Sequence, residues 1–339
     1  MRGAELKTIH FILLAACFAC TAALCLDWEH RLSSVARGAD ILRSQSSAGD
    51  EEGYTGREAR TETGTSQKIY REGPDLKARY RFINFNRDRL TINFSMSGED
   101  YGSYLSGYGY SDAEMAELRR WRENARQSAW KAAVPSGGRS AGEKAIAEVE
   151  TEYDTRLRTL LHSRGMALRA GNMVECDMPL IVKRNIKLLN PLAAAFQKLA
   201  ADKNYPEEEL VGSVVSLVQT ALRYQVPPPL EDGRHTGGLL PPARALLSGW
   251  GDCDTKTGVL AAILGSWSGM RMVGVAVPGH YLMAIRRLPG KGDMFVTYEG
   301  LEYVLVEPAG PAWLEPGSVG THTADLLAGG EGYRVEPFF

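Results

Sequence analysis

The sequence predicts an α+β fold, because helical and strand patterns fall in separate stretches of the chain. Helical patterns dominate from residue 111 to residue 222. From Asp252 onward one further helix is followed by several β-rich stretches, the last of which ends near residue 306. Segregated helices and strands are typical of α+β domains, in which helices pack on an antiparallel sheet.

The composition is that of an ordinary globular protein. The 339 residues are 44% hydrophobic and 24% charged, and the formal net charge is −2. These values exclude collagen-like, coiled-coil and wholly disordered chains, and the length fits one large domain or two smaller ones. The near-neutral charge gives no electrostatic footprint for nucleic acid. Five unevenly placed cysteines exclude a disulfide-dense scaffold.

Residues 1–26 have the pattern of an export segment. Basic side chains near the start precede an almost wholly apolar run from Ile9 to Leu26. This run is at the lower edge of the length that spans a bilayer. The segment is therefore interpreted as a cleaved signal peptide, a retained membrane anchor or a lipoprotein signal. In the last case Cys17, which ends a Leu-Ala-Ala-Cys sequence, would carry the lipid.

Residues 27–72 are predicted to be a disordered polar tether. They are rich in Ser, Gly, Arg, Glu and Thr and contain few apolar side chains. Such a segment buries too little surface to offset the entropy lost on ordering.

Residues 73–172 are predicted to form an amino-terminal hairpin and helical region of unknown role. Alternating apolar residues predict a β-hairpin between residues 80 and 94. Residues 98–110, rich in Gly and Tyr, are expected to be a loop. Helices are predicted over 111–132 and about 140–162, separated by a Pro-Ser-Gly-Gly break.

Residues 173–339 form the last predicted domain. A helix near 178–202 is expected to be interrupted at Asn190-Pro191, because proline removes a backbone donor and crowds the preceding turn. A second helix begins at Pro206, and its apolar stripe marks a buried face. A Pro/Gly-rich loop follows over 225–249.

The next helix begins with a cysteine in its first turn. Asp252 is predicted to be the N-cap, and Cys253 follows it directly. At that position the helix macrodipole favours a negative charge. Helix N-termini lower the pKa of cysteine and so favour the thiolate, its nucleophilic form. We therefore expect Cys253 to be a reactive thiol.

Two strand ends supply a candidate base and a candidate acid. His280 begins the β-rich stretch that runs to Ile285, and Glu307 closes the stretch Tyr303–Val306. A cysteine, a histidine and an acid can thus meet at the edge of a helix–sheet interface, which is the arrangement that Cys–His catalysis needs. Asp293 and Glu302 are rival acids, but neither ends a strand before a proline.

These elements resemble the transglutaminase-like branch of the papain-type cysteine enzymes. The similar elements are Gly251-Asp252-Cys253, Gly279-His280 and Glu307-Pro308, in this order, and the resemblance covers roughly residues 175–315. It implies a transglutaminase-like catalytic domain over 173–339. Its α+β core would place the nucleophile at a helix N-terminus packed on an antiparallel sheet. It also implies Cys253, His280 and Glu307 as the catalytic residues.

Three features depart from the family pattern. The acid is Glu307 where Asp is usual, and Thr255 stands where bacterial relatives often carry a second acid. The spacing from His280 to Glu307 is long and requires an additional hairpin.

An acyl-transfer site also needs hydrogen-bond donors for an oxyanion. The backbone N–H of Cys253 is the expected first donor. Gln219, on the upstream helix, and Trp250 are candidates for a second donor or for support of the site. The alternative is that Cys253 is a structural thiol or forms a disulfide with Cys176 in an oxidising compartment.

No metal or cofactor is predicted. The chain has no Walker or dinucleotide fingerprint. Asp252, Asp254 and His235 lack a recognisable ligand spacing, and the C-x-x-C pair Cys17 and Cys20 lies inside the export segment.

The resemblance implies an exported or membrane-tethered cysteine enzyme of the periplasm or cell envelope. Such an enzyme attacks peptide or carboxamide bonds and forms a thioester. Hydrolysis is favoured over cross-linking, because water is abundant and no amine-acceptor site is recognisable. The expected partners are a protein or peptide substrate in the cell envelope and, through the amino terminus, the membrane, but no nucleic acid. The alternative is a catalytically inactive transglutaminase-like module for binding or envelope assembly.

Overall fold

The computed structural model describes residues 59–60, 64–329 and 332–338. The predicted export segment, including Cys17, and most of the predicted tether lie outside these residues. The structure is mixed α/β, with 48% helix, 25% strand and a curled antiparallel sheet.

The helices of the described residues are α1 (Gly98–Ser106), α2 (Asp112–Ser163), α3 (Met178–Lys203), α4 (Glu207–Thr220), α5 (Pro242–Ser248), α6 (Cys253–Leu264) and α7 (Thr321–Ala328), with a 3₁₀ turn at Ala170–Asn172. The strands in the first half are β1 (Ala59–Arg60), β2 (Ser66–Glu72), β3 (Asp75–Ile83), β4 (Arg89–Ser97), β5 (Tyr110–Ser111), β6 (Met166–Leu168) and β7 (Val174–Cys176). Those in the second half are β8 (Arg223–Tyr224), β9 (Leu230–Glu231), β10 (Arg234–His235), β11 (Trp250–Gly251), β12 (Met272–Val277), β13 (His280–Arg286), β14 (Phe295–Tyr298), β15 (Leu301–Val306) and β16 (Arg334–Pro337).

The amino-terminal sheet has the antiparallel order β1-β2-β3-β4. Strands β3 and β4 confirm the predicted hairpin, and their side chains alternate strictly between buried and exposed. The buried face packs on α3, α4 and α5, and the Tyr80 hydroxyl donates a hydrogen bond to the Leu246 carbonyl. Strand β2 occupies residues that were predicted to belong to the tether, and all seven of its residues pair with β3.

Helix α2 is a helical hairpin with two antiparallel arms. The backbone leaves the helical region at Gly138, where φ is +66°. The two arms contact each other through Arg122 and Glu150 at 2.5 Å and through the Arg156 guanidinium, 4.0 Å from the Trp121 ring centroid. The two predicted helices and the break between them are confirmed. Residues 98–106, predicted as loop, are helical because Ser97 caps α1 by accepting a hydrogen bond from the Asp100 N–H at 3.0 Å.

Helix α3 runs through Pro191 without interruption, so the predicted break is wrong. Asn190 and Pro191 both lie on the exposed face. There the carbonyl group that loses its partner can bond to water, while Leu189 and Leu192 bury their side chains in the core. Tertiary packing thus outweighs the local cost of the proline.

Helix α6 is the centre of the core. Every residue from Thr255 to Leu264 is buried, and the helix packs on α3, α4, α5 and β13. A helix that is closely packed on all sides cannot shift without displacing its neighbours. The first residue of α6 is therefore held in a fixed position.

The carboxy-terminal sheet has the antiparallel order β14-β15-β13-β12-β16. The strands predicted in this region are confirmed, and β13 and β15 are buried on both faces over most of their length. A two-residue turn, Pro278-Gly279, joins β12 to β13, and φ at Gly279 is +71°. Residue 280 is thus paired directly with Val277 at the start of β13.

Candidate active site

Cys253 is the first residue of α6. The Asp252 carboxylate accepts a hydrogen bond from the Thr255 N–H at 3.1 Å, as the predicted N-cap should. A Cβ atom at Gly251 would collide with the Thr255 side chain, which explains the glycine before the cap. Thr255, at one of the positions that depart from the family pattern, accepts a hydrogen bond from the Leu240 N–H at 3.1 Å.

His280 and Glu307 form a close pair at the ends of β13 and β15. His280 Nε2 lies 3.0 Å from both carboxylate oxygens of Glu307. The two side chains are only 14% and 6% exposed, so the pair is shielded from solvent. Glu307 also accepts a hydrogen bond from the Ala309 N–H at 3.0 Å, which fixes the carboxylate.

Gln219 holds the segment that follows Glu307. Its amide nitrogen donates to the carbonyl oxygens of Glu307 at 2.7 Å and Leu314 at 2.9 Å, and its amide oxygen accepts from the Leu314 N–H at 3.0 Å. Both amide hydrogens are thus engaged. In this structure Gln219 serves as support rather than as an oxyanion donor.

The Cys253 thiol lies beside the histidine strand. Its sulfur donates a hydrogen bond to Asp254 Oδ1 at 3.3 Å, and Thr257 on the same helix donates one to the Tyr281 carbonyl at 3.2 Å. Tyr281 directly follows His280 at the start of β13. The first turns of α6 therefore lie against the start of the histidine strand, and the thiol donates its proton to Asp254.

The expected lowering of the thiol pKa is wrong. Burial, followed by the charges of Asp254 and Asp252, raises the pKa of Cys253 to about 12. The Tyr281 N–H opposes this rise in pKa. The effects of burial and of the two carboxylates nevertheless outweigh the lowering of the pKa that the helix N-terminus favours. At neutral pH the resting group is a thiol.

The two carboxylates near Cys253 are also perturbed. Burial and the charge of Asp254 raise the pKa of Asp252 to about 6, and burial raises the pKa of Asp254 as well. Like charges that share a partly buried site disfavour each other's ionisation. The two carboxylates therefore repel each other when both are ionised. The sequence pattern did not indicate this repulsion.

The other candidate residues lie apart from the histidine. Asp293 is bound to Arg287 at 2.9 Å, and Glu302 is exposed on β15 opposite Thr297, so neither rival acid pairs with His280. Trp250 is half-buried on β11 beside the core.

Two further candidates have partners of their own. His235 stacks on Tyr110 and pairs with Asp112 at 3.0 Å. Cys176 and Cys253 are both free thiols, and Cys176 donates a hydrogen bond to the Thr236 carbonyl at 3.3 Å.

Lys256 is the residue near the site that sequence reasoning missed. It lies one turn after Cys253, its side chain is fully buried, and its Nζ has no hydrogen-bond partner. A lysine three residues after the nucleophile looks like an ordinary helix-surface residue in sequence. Only the burial of α6 on all sides reveals its position.

Among residues 64–329 and 332–338, no group of three or more His, Cys, Asp or Glu side chains is arranged to hold a metal ion. Within the same residues, no helix combines the length and apolar character needed to cross a bilayer. No family model matches the chain, and neither a curated protein nor a solved structure is significantly similar to it.

Proposed function

We propose that this protein is a transglutaminase-like cysteine enzyme that acts on peptide or carboxamide bonds through a thioester, with hydrolysis as the main outcome. The observation that carries the proposal is the buried His280–Glu307 pair, in which both carboxylate oxygens hold the imidazole on a strand that packs against the helix of Cys253. A nucleophile, a base and a group that orients the base are the three parts that such catalysis requires.

In this proposal each ring nitrogen of His280 has its own role. Nε2 is engaged by Glu307, so Nδ1 is the nitrogen left to take the thiol proton. The thiol turns from Asp254 toward Nδ1, and sulfur attacks the carbonyl carbon as its proton passes to the ring. The unpaired N–H groups of the first turn of α6 stabilise the oxyanion.

The second half of the reaction returns the site to its resting state. The imidazolium gives its proton to the leaving amine as the C–N bond breaks, and a thioester on Cys253 remains. Water then attacks the thioester and loses a proton to His280, and the thiol is released with the carboxylic acid. Tyr224 is 47% exposed and pairs with Gly251, two residues before Cys253, and in this proposal it lies on the side from which substrate enters.

The location and partners are part of the same proposal. An apolar amino-terminal segment over residues 9–26 would export the chain or tether it, with Cys17 as a site of lipid attachment. The substrate would then be a protein or peptide in the periplasm or cell envelope.

Covalent labelling tests the proposal. The full-length protein is treated with a peptidyl vinyl sulfone, and adducts are located by mass spectrometry in wild type, His280→Ala and the matched control Cys176→Ser. We expect an adduct on Cys253 that persists in Cys176→Ser and forms about a thousandfold more slowly in His280→Ala. Equal labelling rates of wild type and His280→Ala would contradict the proposed function.

A second function is favoured by one observation. The thiol pKa of about 12 and the hydrogen bond to Asp254 describe an unreactive resting cysteine, as in a catalytically inactive binding or envelope-assembly module. That function predicts no vinyl sulfone adduct at any pH. A Cys176–Cys253 disulfide in the native exported protein would support it.

A further inference from the structure

Lys256 is a fully buried lysine whose Nζ has no hydrogen-bond partner among the described residues. Its exposure is 0%, and Nζ makes no hydrogen bond within the described part of the chain. A buried ammonium group usually acquires an acceptor, because an unpaired one is costly. A methionine would fill the same space without that cost, so packing alone does not account for the lysine.

The surroundings of Lys256 are those of the active site. Its Nζ lies 5.9 Å from the Tyr224 ring centroid. The groups that act on its charge are Glu307 from the end of β15, Asp252 from the helix cap and Cys253 from the preceding turn. The Glu307 carboxylate is already bound by the histidine, and the Asp252 carboxylate by a backbone N–H. Cys253 alone of these groups gains a negative charge during the proposed reaction.

We propose that Lys256 is a positioning residue that supplies the counter-charge for the Cys253 thiolate. The inference rests on the proposed function, in which the sulfur becomes negatively charged as its proton passes to His280 during the attack. Asp252 and Asp254 disfavour a charge on sulfur, and an ammonium group one turn away offsets them where water is excluded. Lys256 acts through Cys253, while the thiol proton still passes to His280.

The protonation of Lys256 is poised for this role. Burial lowers its pKa to about 7, and the charges of Glu307, Asp252 and Cys253 oppose that change. A negative charge on sulfur favours the ammonium form, so Lys256 keeps its proton when Cys253 ionises. The buried ammonium group of Lys256 is thus least destabilising when Cys253 carries a negative charge.

The experiment measures the pH dependence of Cys253 alkylation by iodoacetamide in the full-length protein, quantified on the Cys253 peptide by mass spectrometry. Wild type is compared with Lys256→Met, Lys256→Arg and the surface control Lys198→Met, which removes the same charge from an exposed ion pair with Asp202. We expect Lys256→Met to react about tenfold more slowly at neutral pH. Lys256→Arg should stay close to wild type, and Lys198→Met should be unchanged.

The thermal midpoint separates charge from packing. Because Lys256→Met removes an unpaired buried charge, this variant should be at least as stable as wild type. If Lys256→Met fails to fold, Lys256→Gln is used in its place. An alkylation profile of the folded neutral variant identical to wild type, or equal slowing in Lys256→Arg, would overturn the inference. Vinyl sulfone labelling that ignores His280 would instead refute the proposed function, and the alkylation profile would still decide the role of Lys256.

Discussion

Two groups of polar side chains meet at the candidate active site, and they differ in how their charges are balanced. At the ends of β13 and β15, His280 and Glu307 pair at 3.0 Å and Gln219 secures the segment behind them. At the start of α6, Asp252 and Asp254 crowd the Cys253 thiol, and their charges raise its pKa. The His280–Glu307 pair is therefore arranged to stabilise a positive charge on the imidazole, whereas Asp252 and Asp254 oppose a negative charge on the Cys253 sulfur.

For the proposed enzyme, this difference indicates which groups would activate the Cys253 thiol. A helix N-terminus does not by itself make a reactive cysteine when burial and like charges oppose it. In the proposed enzyme, His280 on the strand side would accept the proton, and a cation would offset the two carboxylates. Variants on the two sides should consequently have opposite effects on the reactivity of Cys253.

The largest expected effect breaks the strand side. Glu307→Gln keeps the shape of the side chain but removes the charge that orients and stabilises the imidazolium. The rate of Cys253 labelling by the vinyl sulfone should fall by about a hundredfold or more. Glu307→Asp, one methylene shorter, should retain part of the rate. A Glu307→Gln protein that labels as fast as wild type would show that the pair is structural.

The next effect concerns the support of that pair. Gln219→Leu removes three hydrogen bonds and leaves the Glu307 and Leu314 carbonyls unpaired. The free energy of unfolding in urea should fall by about 3 kcal/mol, because buried polar groups lose their partners. Thr220→Val, next in the chain, removes a hydroxyl bonded only within its own helix and serves as the control. Equal stability of Gln219→Leu and wild type would contradict the supporting role.

A smaller effect of opposite sign is expected on the helix side. Asp254→Asn removes a carboxylate whose charge raises the pKa of Cys253, so that pKa should fall. Iodoacetamide should then alkylate Cys253 about tenfold faster at neutral pH. Asp293→Asn, which removes a carboxylate bound to Arg287, is the control. A slower reaction in Asp254→Asn would mean that Asp254 assists the thiol instead of opposing it.

The smallest effect is a pH-dependent change in stability. The pKa of Asp252 is raised to about 6 in the folded protein, so the unfolded chain ionises first as pH rises. The folded state is then penalised above that pKa and not in acid, below the pKa of the unfolded chain. Asp252→Asn keeps a good helix cap and should gain about 1 kcal/mol at neutral pH, with the gain vanishing near pH 4. A gain that is constant from acid to neutral pH would exclude this origin.

Local patterns predicted much of the fold. The hairpin β3–β4, the two arms of α2 and the strands β12 to β15 depend on alternation, capping and turn residues that lie close together in sequence. Pro191 and residues 98–106 were mispredicted because distant packing and a single capping side chain decide their structure. Both errors occur where a local preference competes with an interaction that the local pattern does not include.

The candidate site was only partly predictable for the same reason. The order of Cys253, His280 and Glu307 follows from their positions at element ends. The pKa of Cys253 was predicted in the wrong direction, because burial and two neighbouring carboxylates appear only in three dimensions. Lys256 was missed because nothing in its sequence context distinguishes a buried lysine from an exposed one.

The two-residue turn before His280 limits how this chain can vary in length. Successive side chains of a strand point to opposite faces, so one residue added or lost at Pro278-Gly279 would move the imidazole to the other side of β13. The segment between β13 and β14 can change length without moving His280. The site thus tolerates insertions between β13 and β14 but not in the turn immediately before His280.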